Sequence, residues 1–309
     1  MSSSRSASVD ERPGGPPGRP SCCLLSVDLE EWSDARLAGV PAQSRERLPP
    51  SLEEPVARLL VLLAEAGARA TFFTLGRVAR RYPDLVRRIS RQHEIATHGE
   101  SHTDVSLLSP ARLGREIAES RRRLQDLSGQ EVLGYRAPNW SLAGSLDWAA
   151  AVLAEQGLRY DSSLIPGAGF LFVRGHRDAR RGPHRLPECP SIWEFPPTVM
   201  RLPGLSFTPA GGAFLRMLPR GIALRALERA EERGEVPHVH LHPWEIEPQA
   251  QGPSNRVRRA LLFAGSASLP GKLAAILARW RGTAIGTVWA ELAGEEASPA
   301  PPLRTARAG

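Results

Sequence analysis

The chain has 309 residues, 41% of them hydrophobic and 24% charged, enough for one large single-core domain or two small ones. Its formal charge of +7 is carried almost wholly by arginine, Lys272 being the only lysine; the arginines are spread along predicted helices with no nucleic-acid motif beside them, so solvated helix faces are expected and nucleic acid is not. Cys22, Cys23 and Cys189 show neither metal-ligand spacing nor a disulfide framework, no apolar run approaches the roughly 18 residues of a membrane span, and residues 1–20 lack an apolar signal core. The expectation is a soluble cytoplasmic protein whose positive charge would aid peripheral contact with a membrane or a lipid-linked glycan, and whose oligomeric state is left open.

In chain order, residues 1–20 are Ser, Pro, Gly and Arg and are expected to be disordered. One domain is expected over 21–292, followed by a disordered Ala/Pro/Gly/Arg tail over 293–309. The apolar run 22–27 reads as a buried strand with Asp28 at its exit, and 36–50 as a loop. A helix opens on Ser51 and Glu54 as a capping box, carries Leu52, Val56, Leu59, Leu60 and Leu63 on one stripe, and stops at Gly67. Strand 70–74 follows, then a helix opened by Pro83 with Leu85, Val86 and Ile89 inward, then strand 94–97 running into His98. Ser109-Pro110 caps a helix ended by Gly129; strand 132–135 delivers Arg136. A helix over 145–156 precedes 158–160, which delivers Asp161. After an irregular stretch from 165 to 219, with a strand-like 192–195, come a helix over 221–233, strand 239–241 delivering His242, a helix over 273–280 and a last strand over 284–288.

Seven or eight alternating βα units without a Gly-rich phosphate fingerprint point to a parallel α/β barrel over an open doubly wound sheet. In such barrels reactive residues stand at the C-terminal ends of strands, where Asp28, His98, Arg136, Asp161 and His242 all fall.

Asp28 and Glu30 share a face of their strand, and His98 and His102 share a face if the backbone makes one helical turn. Two neutral imidazoles and one carboxylate form a facial set that leaves metal positions open, so Glu30, His98 and His102 are the expected ligands. Asp28 is then placed to act as general base and His242 as the acid for a departing amine. Arg136 would hold Asp28 ionised, and Asp161 would orient His242, a plain salt bridge being the alternative for both. His238, His240 and His242 alternate along one strand face; spacing leaves the choice among them open, and position favours His242.

These residues resemble the polysaccharide deacetylases that share the chitooligosaccharide-deacetylase (NodB-like) domain. The motifs occur in order as Ser26-Val27-Asp28-Leu29-Glu30, His98 to His102, Arg136-Ala137-Pro138-Asn139-Trp140, Asp161-Ser162-Ser163 and Leu241-His242-Pro243, over roughly 22 to 290. Ile192-Trp193-Glu194-Phe195-Pro196 and the continuation Trp244-Glu245 make the chain similar to the branch linked to exopolysaccharide biosynthesis in exosortase-bearing bacteria. The resemblance implies a distorted (β/α)7 barrel, a divalent metal with zinc the expected ion, and hydrolysis of N-acetyl groups on the amino sugars of a polysaccharide or its lipid-linked precursor. Relatives of this fold that open cyclic imides or ureides, and a degenerate carbohydrate-binding protein, are the alternatives. Most members carry two adjacent aspartates in the first motif; here Leu29 holds the second place, and the ligand role passes to Glu30. Asn139, Trp140, Trp193 and Trp244, in or beside the motifs, are the expected sugar contacts, an aromatic face suiting the apolar C–H surface of a ring.

Overall fold

A computed structural model of the chain describes residues 21–170, 173–246 and 251–294; the tails expected over 1–20 and from 295 onward lie outside the described residues. Its strands are β1 (Cys22–Leu29), β2 (Thr71–Thr74), β3 (Glu94–Thr97), β4 (Gly134–Tyr135), β5 (Tyr160–Asp161), β6 (Gly169–Phe170), β7 (Val173–Arg174), β8 (His184–Leu186), β9 (Cys189–Glu194), β10 (Met200–Leu202), β11 (Leu205–Phe207), β12 (His238–Leu241) and β13 (Arg281–Thr283). Seven of them run parallel in the order β12-β1-β2-β3-β4-β5-β9, with β8 antiparallel on the β9 edge and β13 parallel to the first half of β1. The seam between β9 and β12 is closed without a ladder: Thr198 N–H donates to the His238 carbonyl (3.3 Å) and the Thr198 hydroxyl accepts from His238 N–H (2.8 Å). The result is the distorted seven-stranded barrel expected from the motifs.

Strand alternation sorts the side chains into layers. Along β1, Cys23, Leu25, Val27 and Leu29 face outward into a core shared with the helices Glu53–Glu65, Pro83–Ser90, Arg220–Glu232 and Leu269–Leu277. Leu24 faces inward, against Phe73, Ala96, Tyr160 and Phe195, and this inner core is plugged by Ile285, Val288 and Trp289 of the last helix, Ile285–Ala293. A second outer layer packs the helices Pro110–Ser128 and Leu146–Glu155 against Tyr135 and Ile192.

Three local expectations are corrected. The last strand over 284–288 is a helix: Ile285, Val288 and Trp289 sit at helical spacing, and its first amides are held by tertiary partners, Ile285 N–H by the Thr71 hydroxyl (2.7 Å) and Gly286 N–H by Glu94 (2.9 Å). Ser51 does not cap its helix, whose N-cap is Leu52; Ser51 instead bonds Tyr82 and Glu31. Asp161 lies inside β5 rather than beyond its end. Ser109 does cap its helix, accepting from Arg112 N–H, and Gly129 closes it at φ 68°, as read from the sequence.

One stretch, Arg256–Leu277, has the length and apolar content of a membrane span, although the sequence reading expected none; a third of it is buried here. It is broken by Gly265 at φ 77° into the helices Arg256–Leu262 and Leu269–Leu277, the second of which packs on the outer core.

Candidate metal centre and catalytic site

Asp28 and Glu30 reach one space because β1 turns immediately after Leu29, Glu30 N–H donating to the Asp28 carbonyl at 3.0 Å. The turn is anchored from behind. Buried Glu31 accepts from Tyr82 (2.6 Å) and Arg81 (3.1 Å), and buried Asp34 pairs with Arg45 (3.1 Å) and Arg77. These ion pairs are buried and multiply bonded, so they fix the loop geometry rather than decorate a surface.

His98 and His102 reach the same space by a different backbone from the one expected. The segment is not a helical turn: Gly99 stands at φ 79° and His102 at φ 60°, so the chain doubles back in left-handed conformations. A positive φ at a non-glycine residue stores strain and concentrates at functional positions. His102 Nε2 comes within 2.7 Å of Glu30 Oε2 and His98 Nε2 within 3.8 Å. One donor atom from each of Glu30, His98 and His102 lies within 4.8 Å of the others, and all three residues are buried.

This donor set fits a divalent ion. The His98 Nδ1–H donates to the Arg136 carbonyl (2.7 Å), which leaves the Nε2 lone pair aimed at Glu30, the outer-shell arrangement of metal-bound histidines. Burial lowers the His98 pKa, favouring the neutral imidazole that a ligand must be. His102 is raised in spite of burial, because the Glu30 carboxylate touches it.

Asp28 accepts from Arg136 (Nη1 to Oδ1, 2.6 Å). Burial would raise the Asp28 pKa, but Arg136 and the nearby histidines outweigh it and hold the carboxyl well below its usual range. Arg136 is itself fixed by the Ser162 carbonyl and hydroxyl (2.8 and 2.7 Å) and by the faces of Phe73 and Trp140, 4.2 and 4.8 Å away. Its predicted place at the base is observed.

His242 Nε2 lies 3.8 Å from Asp28 Oδ2 and 3.6 Å from Glu30 Oε1, so of the three strand histidines it is the one at the mouth. His238 is fully buried, bonded to Ser26 and the Pro196 carbonyl; His240 is buried against Trp140 with its Nδ1 unpartnered among the described residues. Burial lowers both. His242 is the opposite case: burial opposes its charge, yet Glu245, Glu30 and Asp28 raise its pKa to about 9.

The carboxylate that touches His242 is not Asp161. Asp161 and its register partner Glu194 point outward from the barrel, where Asp161 accepts from Ser163 Oγ (2.6 Å) and N–H (3.1 Å). Burial and proximity to Asp161 push Glu194 well above the usual carboxyl range. Glu245 takes the expected place of Asp161, its Oε2 2.9 Å from His242 Nδ1. The spacing of His242 and Glu245, three apart across a helical turn opened by Pro243, is that of a capping box, and that was the available sequence signal.

Residues 49–160 match the polysaccharide deacetylase family model, and residues 162–290 match a domain of unknown function (DUF3473). Over residues 49–160 the chain is similar to the polysaccharide deacetylases. A peptidoglycan deacetylase of Helicobacter pylori is 27% identical over 114 residues, 37% of this chain and 38% of the relative. A chitooligosaccharide deacetylase of Sinorhizobium fredii is 37% identical over 68 residues, 22% of this chain and 32% of the relative. An uncharacterised protein of Geobacillus stearothermophilus is 29% identical over 148 residues, 39% of this chain and 55% of the relative, so the chain spans about half or less of the curated relatives it matches. In fold, a candidate polysaccharide deacetylase of Mycobacterium smegmatis is similar with a TM-score of 0.59 at 20% identity, over 94% of this chain and 96% of that one.

The expected sugar contacts divide. Trp140, at φ 58° beside Asn139 at φ 54°, is half-buried at the site, pinned edge-on to His240 at 5.0 Å. The Asn139 amide is engaged by Asp104 (2.7 Å). Two expectations fail on burial and direction. Trp244 is buried behind His242, stacked on its ring at 5.0 Å, and Trp193 packs with Phe195 toward the plugged end of the barrel.

Proposed function

We propose that the chain is a metal-dependent hydrolase that removes N-acetyl groups from the amino sugars of a polysaccharide or its lipid-linked precursor. The observation that carries this reading is the convergence of a base, an acid and a three-residue ligand set on one buried space, with Asp28 and Glu30 both within 4 Å of His242. A divalent ion held by Glu30, His98 and His102, zinc being the ion expected from imidazole and carboxylate donors, would polarise the acetyl carbonyl and acidify a water molecule. Asp28, kept ionised by Arg136, takes the proton from the attacking water. His242, charged and with Nε2 facing the same space, gives its proton to the sugar nitrogen as the C–N bond breaks, so the products are acetate and a free amine. The half-buried face of Trp140 offers a stacking surface for the sugar ring.

The test is acetate and free-amine release from N-acetylated chitooligosaccharides by the metal-loaded protein. Release is expected to be lost on chelation and in the His98→Ala/His102→Ala variant, which also loses the ion. Asp28→Asn is expected to keep the ion and lower kcat by about 10²- to 10⁴-fold. Ring opening of a cyclic imide without acetate, or saccharide binding without turnover, would overturn the proposal.

A further inference from the structure

The segment from 162 to 290 matches a domain to which no function is attached, yet it contributes His242 and the side chains that bond and stack on its ring from behind. Glu245 bonds the His242 ring through Nδ1 and, with the same Oε2, accepts from the His242 backbone N–H, both at 2.9 Å. Its other oxygen is held by buried Arg216 (Nε to Oε1, 2.7 Å), from the helix Gly212–Met217. Arg216 is anchored by the Ala264 carbonyl, and its guanidinium lies 5.7 Å from the Trp244 ring centroid. Trp244 in turn stacks on His242 with 23° between the ring planes. One contact therefore fixes which ring nitrogen carries the inner proton, a second fixes the ring plane, and Arg216 fixes both contacts. With Nδ1–H committed to Glu245, only Nε2 is left to face Asp28 and Glu30.

We propose that Glu245 and Arg216 are positioning residues for the acid step, and that this is what the uncharacterised segment contributes to the reaction. Asp161, the carboxylate expected there, is turned out of the barrel and has no contact with His242 among the described residues. The catalytic half of the inference rests on the deacetylase reading; the structural half does not.

Two measurements separate them. In the first, Glu245→Ala, Glu245→Gln and Arg216→Met are compared on an N-acetylated oligosaccharide and on an aryl acetate ester, whose phenolate departs without a proton. Loss of positioning lowers kcat for the amide by about 10²-fold in Glu245→Ala, with less loss in Glu245→Gln, which keeps a hydrogen-bond acceptor, little change in KM, and ester hydrolysis within a few-fold of wild type. Parallel loss on both substrates means damage to the fold and overturns the proposal. In the second, ¹H–¹⁵N spectra of the histidine rings, with His242 assigned by its loss in His242→Gln, are expected to show a protected Nδ1–H in wild type that disappears in Glu245→Ala and persists in Glu245→Gln. A wild-type His242 ring with no proton on Nδ1, or an unchanged spectrum in Glu245→Ala, overturns it. Should wild type show the protected Nδ1–H but release no acetate, the deacetylase reading fails and the role of Glu245 in aiming His242 stands.

Discussion

Leu29 illustrates how one residue's direction decides its chemistry. The second aspartate that the sequence resemblance leads one to expect at this place would suggest that introducing it improves metal binding, but in this chain position 29 faces outward into the apolar layer with no exposure. Leu29→Asp is therefore expected to destabilise the fold by about 4 kcal/mol or more, a buried unpaired carboxyl being one of the few substitutions that cost so much. Metal stoichiometry would not rise, because the carboxyl points away from His98 and His102. Tighter metal binding in a stable Leu29→Asp protein would show that the strand can shift register and that Glu30 is not the ligand. Strand alternation makes Asp28 and Glu30 legible in the sequence as a pair, although β1 ends at Leu29 and it is the turn there that brings Glu30 into the same space. Asp161 reads as the residue beyond a strand over 158–160, but it belongs to β5 itself, where register with outward-facing Tyr135 turns its side chain away from the site. Glu245 was legible only as part of a motif: its value depends on Arg216, 29 residues earlier and joined to it by folding alone.

At the scale of elements, the sequence read well wherever a single segment held its own signals, and failed where a tertiary partner decided. The helix Pro110–Ser128 has its serine cap, its proline and its closing glycine in the sequence. The helix Ile285–Ala293 begins with small and β-branched residues and is set by Glu94 and Thr71, whose side chains accept from its first amides. Glu94 also accepts from the Tyr160 hydroxyl (2.7 Å) and from Thr71. Glu94→Ala strands these donors in a buried place at about 1–3 kcal/mol for each left unpaired, so a fall in Tm of roughly 5–10 °C is expected, with most of it recovered in Glu94→Gln. An unchanged Tm in Glu94→Ala would mean that the helix start is held by packing alone. Just before β3, His93 packs against Phe72 at 5.3 Å with its Nδ1 unpartnered among the described residues. Burial, helped by Arg69, lowers its pKa to about 4. Between that value and the unfolded pKa of about 6.5 the unfolded chain holds a proton that the fold does not, so the stability His93 contributes is complete above 6.5 and drains away as pH falls toward 4. His93→Phe, which keeps a ring against Phe72, is expected to remove about 1–2 kcal/mol of this acid sensitivity in denaturant titrations at pH 7 and pH 4.5. An acid slope unchanged from wild type would place the sensitivity elsewhere.

At the scale of the molecule, the two family matches meet between residues 160 and 162, but the fold does not divide there. Strand β1 lies between β2, from the first matched segment, and β12, from the second, while β13 pairs with its opening residues. Strand β5 straddles the boundary and pairs with β9 from the second segment. The site is divided in the same way: the deacetylase match supplies His98, His102 and Arg136, the strand before it supplies Asp28 and Glu30, and the second match supplies His242, Glu245 and Arg216. A sheet whose first strand is flanked by the far end of the chain cannot lose either segment without exposing ladder edges and the apolar layer behind Leu25 and Val27. Thermal unfolding followed by calorimetry is therefore expected to show one transition, with the van't Hoff and calorimetric enthalpies agreeing, and loss of far-ultraviolet and tryptophan signals at the same temperature. Residues 21–161 expressed alone are expected to fail to fold, because β1 would then lack both β12 and β13. Two resolved transitions, or a soluble and cooperatively folded 21–161 fragment, would mean that the matched segments are separate domains and that the acid reaches the metal ligands by domain closure.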